Sequence, residues 1–143
     1  MNEELVFPES KWVVVEAKNL GNTIKATNPT DPREKKTEGR FILVRYKVTN
    51  KGTKEIQLGW EDPKIVDESR EFKTLGEEQM DFLPRFAKTM SDEDSTHIPA
   101  GQTREFHALY EVPADAKGLR LMAESFKERR GRPVNEGYIE LGL

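Results

Sequence analysis

Gly39-Arg-Phe-Ile-Leu-Val-Arg-Tyr-Lys-Val-Thr-Asn50 is the stretch that decides how this chain folds. Ile42, Val44, Tyr46 and Val48 fall on one face at a period of two. Arg45 and Lys47 mark the opposite face, which begins as apolar at Phe41 and Leu43. A second run, Gln102-Thr-Arg-Glu-Phe-His-Ala-Leu-Tyr-Glu-Val-Pro113, repeats the pattern with Phe106, Ala108, Tyr110 and Val112, and is entered through Ile98-Pro-Ala-Gly101. Both runs are rich in β-branched and aromatic residues, too polar to be buried on both faces, and bounded by turn residues. Half-buried antiparallel strands read this way, and they predict an all-β sandwich.

Working outward, Lys11–Ala17 reads as a first strand, with Asn19 and Gly21 turning into a short second one at Thr23–Ala26. Thr27 to Glu38 carries Asn28-Pro29, Asp31-Pro32 and a cluster of charges, which suggests a mobile loop. After Asn50-Lys-Gly52, an antiparallel partner is expected at Glu55–Trp60, where Ile56, Leu58 and Trp60 alternate with polar residues. Lys64–Asp67 and Arg70–Lys73 form a tight hairpin. Leu119 and Leu121 open a further strand, and Val134–Leu143 closes the chain with Ile139 and Leu141 facing in. The count is seven to nine short strands. One short helical insert is expected around residues 76–90, where Met80, Leu83 and Phe86 make a brief 3.6-period stripe that Pro84 limits to two turns. No βαβ alternation is present, so two antiparallel sheets packed face to face are the best solution.

The 143 residues suit one domain spanning 1–143. A chain of this length buries roughly two-thirds of its unfolded surface, enough for a core without staples. The net charge of −3 lacks the basic excess of a nucleic-acid binder. With no cysteine, disulfides, thiolate catalysis and Cys-ligated zinc are excluded. No apolar stretch approaches the ~20 residues that cross a bilayer. Met1–Pro8 shows neither a basic n-region nor an apolar h-region.

Candidate sites are few. His97 and His107 could ligate zinc only if both imidazoles met at one point with carboxylates; a strand-entrance and a mid-strand histidine are the simpler reading. Ser91-Asp-Glu-Asp-Ser95 lacks the ligand spacing, Gly and terminal Glu of an EF-hand loop, so a solvated acidic loop is expected. Lys127, Arg129, Arg130 and Arg132 crowd one hairpin tip and could grip a phosphate, an anionic lipid surface or an acidic partner. Trp12 and Trp60 read as core residues, with Trp60 a ligand platform if exposed beside Phe82, Phe86 or Tyr138. The Met80–Phe86 segment reads as a plug closing one open end of the sandwich, or as a docking element. No phosphate loop, nucleotide fingerprint or nucleophile elbow occurs, so no catalytic residue, metal or cofactor is assigned.

The order of five pieces resembles the bacterial extracellular Ig-like family called telokin-like, mainly a domain of unknown function. The pieces are the strand around Trp12, then Gly39–Gly52, then Ile65-Val-Asp67 with Phe72, then Pro99-Ala-Gly-Gln-Thr103 leading to Tyr110-Glu-Val-Pro113, and a closing strand around Tyr138–Leu141. The resemblance implies an Ig-like sandwich, exported or anchored at a bacterial membrane, with no catalytic residues to carry over. Loop composition, for its part, motivates reading the chain as a non-catalytic binding module with a protein or cell-envelope partner, with Arg129, Arg130, Arg132, Phe82 and Phe86 as the candidate contacts. The cytosol is the alternative location, given the missing leader. A looser resemblance runs to small Ig-like proteinase inhibitors, with Thr27–Glu38 as the inhibitory loop. Oligomeric state is left open.

Overall fold

Among the residues that the computed structural model describes, 3–58, 62–90, 96–126 and 133–143, the chain forms ten strands and one 3₁₀ helix. The strands are β1 (Glu4–Val6), β2 (Ser10–Lys25), β3 (Glu34–Asn50), β4 (Ile56–Gln57), β5 (Ile65–Val66), β6 (Glu71–Phe72), β7 (His97–Ile98), β8 (Thr103–Val112), β9 (Arg120–Phe126) and β10 (Pro133–Glu140). The 3₁₀ helix spans Gly76–Asp81, between β6 and β7. One sheet has the order β1-β2-β3-β8, the other β10-β9-β5-β6, and β4 pairs with β7 as a small separate ladder. All pairings are antiparallel. The chain leaves the first sheet after β3, lays β5 and β6 into the second, and returns so that β8 lies beside β3.

Alternation decides what each sheet buries. On β3, Ile42, Val44, Tyr46 and Val48 are fully buried, and the register sets them opposite Tyr110, Ala108, Phe106 and Arg104 of β8. All of these but Arg104 meet Ile65, Leu121, Ala123 and Ile139 from the second sheet in one core. At its centre the Trp12 and Tyr46 rings lie parallel, 5.5 Å apart between centroids and 3° from coplanar, and Phe106 follows at 5.5 Å. Tyr110 is also fully buried and its hydroxyl donates to the Pro63 carbonyl.

Several sequence expectations need correction. Asn19 and Gly21 make no hairpin turn: β2 runs on through a pair of bulges and stays on β3 as far as Lys25. Gly21 sits at φ 80°, and its N–H donates to the Asn19 side chain, so the turn-like chemistry is spent on re-aiming a continuous strand. The supposed loop from Thr27 to Glu38 shrinks to a reverse turn, because Glu34–Glu38 belong to β3. That turn is built from side-chain oxygens: Asn28 accepts from the Thr30 N–H, and Asp31 from the Arg33 N–H. The segment after Asn50 does not pair with β3 either. β4 pairs with β7, and Asn50 holds the corner by donating to the Lys54 and Ile98 carbonyls at 2.7 and 2.8 Å. Gly39 is required for a different reason: a Cβ there would lie 1.9 Å from the Val112 carbonyl oxygen. The hairpin at Asp67–Arg70 is as expected. There the Asp67 carboxylate accepts two backbone N–H groups and the Arg70 guanidinium, which hold its pKa below the usual carboxylate value.

Candidate functional site

β3 has apolar residues on its outer face too, and they account for the most distinctive part of the molecule. Phe41 is fully buried although it points away from the main core. It forms a second cluster with Ile24 of β2, Leu109 of β8, and Leu83 and Ala87 of the 76–90 insert, with Leu20, Leu43, Leu75 and Phe82 packed around it. The insert therefore lies across the outer face of the first sheet and does not plug an end of the sandwich. Its apolar stripe differs as well. Leu83 is buried, but Met80 is 50% exposed and Phe86 is 88% exposed. A 3₁₀ helix ending at Asp81 turns three residues at a time, and the Pro84 turn follows, so the α-helical spacing that would align the three residues never forms.

Polar contacts fix the insert at many points. Gln79 is 1% exposed, and its amide donates to Asp62 Oδ2 at 2.7 Å while its carbonyl accepts the Leu109 N–H at 3.1 Å. Asp62 also accepts the Thr74 hydroxyl at 3.1 Å and the Met90 N–H at 3.1 Å, which ties both ends of the segment to one carboxylate. The Leu75 N–H donates to the Leu109 carbonyl and the His107 N–H to the Lys88 carbonyl, so the insert joins β8 from both directions. From the β2–β3 turn, the Thr27 N–H and hydroxyl donate to the Asp81 and Leu83 carbonyls. Arg33 pairs with Asp81 at 3.2 Å and Lys35 with Glu78 at 3.1 Å.

The product is a rigid mount under an exposed aromatic tip. Pro84, Arg85, Phe86 and Lys88 face solvent, while Leu83 and Ala87 on either side are buried. The Ala87 N–H donates to the Pro84 carbonyl at 2.9 Å and closes the turn. The Arg85 guanidinium carbon lies 5.9 Å from the Phe86 ring centroid. Phe82, its companion candidate, is half-buried against the outer cluster and serves the mount.

A small cavity of about 70 Å³ lies at the edge of the main core, lined by Trp12, Asp62, Pro63, Lys64, Met90, Met122 and Glu124. It has room for a few water molecules and is far below the roughly 300 Å³ of a typical small-molecule site. Nearby, the Trp12 indole N–H and the Tyr46 hydroxyl are buried without a hydrogen-bond partner among the described residues. Burial, with Tyr110 and Asp62 adding to it, pushes the Tyr46 phenol well above its ordinary pKa, so it stays neutral.

The two histidines are not brought together. His97 of β7 meets Glu55 at 3.1 Å, and His107 of β8 lies beside Arg45 on the outer face of the first sheet. Burial lowers the His107 pKa, and Glu105 and Glu16 oppose that shift. Among the described residues, no group of three His, Cys, Asp or Glu side chains is placed to hold a metal ion. Arg129, Arg130, Arg132, Trp60 and the Ser91–Ser95 loop lie outside the described residues. Sequence reasoning missed Gln79 and Asp62. Each is one polar residue among many charged ones; only the burial of Gln79 and the hydrogen bonds gathered on the half-buried Asp62 set them apart.

No family model matches the chain, and no curated protein matches it. Solved structures do. A functionally unknown protein from Listeria monocytogenes is 14% identical over 99% of this chain and 80% of its own, with a TM-score of 0.62. The yjhA protein of Bacillus subtilis is 9% identical over 98% of this chain and 97% of its own, also at 0.62. A putative lipoprotein of Bacillus subtilis, ycdA, is 12% identical over 99% of this chain at a TM-score of 0.59, and this chain spans 39% of it. At these identities the likeness is one of architecture: the chain shares its sandwich with bacterial proteins of unknown function.

Proposed function

We propose that this chain is a non-catalytic, extracytoplasmic Ig-like binding module of the telokin-like type, and that it docks its partner through the tip at Pro84–Lys88. One observation carries the reading. A phenylalanine 88% exposed stands on a segment fastened from below by Leu83, Ala87 and the Gln79–Asp62 network. Exposed loops positioned by a rigid scaffold are where sandwiches place recognition, and a pre-set aromatic loses little freedom on contact. The structural likeness to a protein named as a lipoprotein supports a place at the cell envelope. So does the resemblance of five sequence elements to the telokin-like family. The alternative, a proteinase inhibitor, is less well supported, because its candidate loop is a short turn tied down to the insert.

Co-sedimentation of the purified protein with a bacterial envelope fraction tests the reading. The wild type is expected in the pellet and Phe86→Asp in the supernatant, with identical thermal unfolding. Equal distribution of the two proteins overturns docking through Phe86. Potent inhibition across a protease panel would instead favour the inhibitor.

A further inference from the structure

We infer that the small cavity at the edge of the main core is a built water site, in which an ordered water accepts the Trp12 indole N–H and donates to the Asp62 carboxylate. The bound water joins the inner cluster to the carboxylate that fastens the insert. This holds whether or not Phe86 docks a partner. Three observations carry it.

The first is a buried donor. Trp12 lines the cavity and is 1% exposed, and its indole N–H has no hydrogen-bond partner among the described residues. Buried N–H groups are nearly always paired, with ordered water where the protein supplies no acceptor. Tyr46, whose ring stacks on Trp12, carries a second such group in its hydroxyl. Tyr110 differs, because its hydroxyl already donates to the Pro63 carbonyl.

The second is a matching acceptor. Asp62 lines the same cavity. Its Oδ2 accepts from Gln79 and Thr74, which uses both lone pairs of that oxygen. Oδ1 accepts the Met90 N–H and has capacity for one more donor.

The third is the fit of the occupant. About 70 Å³ admits a few waters and no ordinary metabolite. A metal cation would face the positive end of the indole N–H. An anion would face the carboxylates of Asp62 and Glu124, and Lys64 beside them is already paired with Glu71 at 3.4 Å. A water both accepts and donates, so it suits both walls. It carries the Gln79–Asp62 network inward to the aromatic stack, and the insert and the inner cluster become linked through one exchangeable molecule.

A high-resolution crystal structure of the whole chain tests the site. Density for a water is expected within hydrogen-bond distance of both Trp12 Nε1 and Asp62 Oδ1. No density there, a metal ion, or any other occupant overturns the inference. Amide exchange tests the link, with Trp12→Phe, which keeps an aromatic ring in the stack and removes the donor. Exchange at Met90 and Leu109, whose amides bond to Asp62 and Gln79, should accelerate severalfold relative to Val44 and Tyr46. An equal change at all four positions shows that the water does not couple the two regions, and overturns that part. Should Trp12→Phe fail to fold, the wild-type density still decides the site.

Discussion

Among the described residues, two apolar clusters lie on opposite faces of one sheet, and they are built by different rules. The inner cluster joins two sheets through residues that alternate along strands, and it contains Trp12, Tyr46, Phe106 and Tyr110. The outer one is small. It sets Phe41, Leu109 and Ile24 against two residues of an irregular segment, and depends on buried polar groups to hold that segment in place. Pleated alternation secures burial wherever two sheets face each other. Covering the far side of a sheet with a non-repetitive segment takes specific hydrogen bonds, because such a segment cannot satisfy its own backbone.

Substitutions that remove comparable bulk from each side should expose this difference. Trp12→Ala, at the centre of the aromatic stack, should lower global stability most, by about 3–5 kcal/mol, seen as a shift of the whole denaturant transition. Leu83→Ala should cost less, about 2–3 kcal/mol, and should act locally. Amide exchange at His107 and Leu109 should accelerate while that at Val44 and Tyr46 stays slow. If Leu83→Ala speeds exchange everywhere, the outer cluster is part of one cooperative unit and the contrast drawn here is wrong.

A third substitution sharpens the polar half of the comparison. Gln79→Ala leaves the Leu109 N–H without its acceptor and Asp62 Oδ2 with the Thr74 hydroxyl alone, at a cost of about 1–3 kcal/mol. It should loosen the insert as measured by proteolysis near residues 76–90, with the inner core intact. The smallest effect concerns pH. His107 has a lowered folded-state pKa through burial. The unfolded chain therefore binds the extra proton first, and stability present above about pH 6.5 declines as the pH falls through the folded-state value. His107→Gln should flatten that part of the stability–pH curve, and urea titrations across the range would show it.

The inner cluster was readable because period two leaves a record in the residues themselves: Ile42, Val44, Tyr46 and Val48 name their own face, and all four are buried. The outer one was half readable. Phe41 and Leu43 interrupt the polar side of β3, which is a sign that something covers it, but nothing local says what. Met80, Leu83 and Phe86 suggested a helical stripe, and the structure buries only Leu83, because 3₁₀ geometry and Pro84 break the spacing. Asn19–Gly21 misled for a related reason. A side chain that accepts its neighbour's N–H and a glycine at positive φ serve a bulge as well as a turn, and the choice is made by the long partner strand. Of the candidate contacts, Phe86 could be named from its segment but not distinguished from Phe82, since exposure is settled by packing partners some 30 residues away on β8.

The insert also closes an edge. β8 is the last strand of its sheet, and such a strand ordinarily displays a row of unsatisfied amides and carbonyls that recruits other polypeptides. Here the His107 and Leu109 amides and the Leu109 carbonyl are already engaged by Lys88, Gln79 and Leu75. The segment that lifts Phe86 into solvent thus serves as a guard rail, keeping copies of this protein from zipping together along that border.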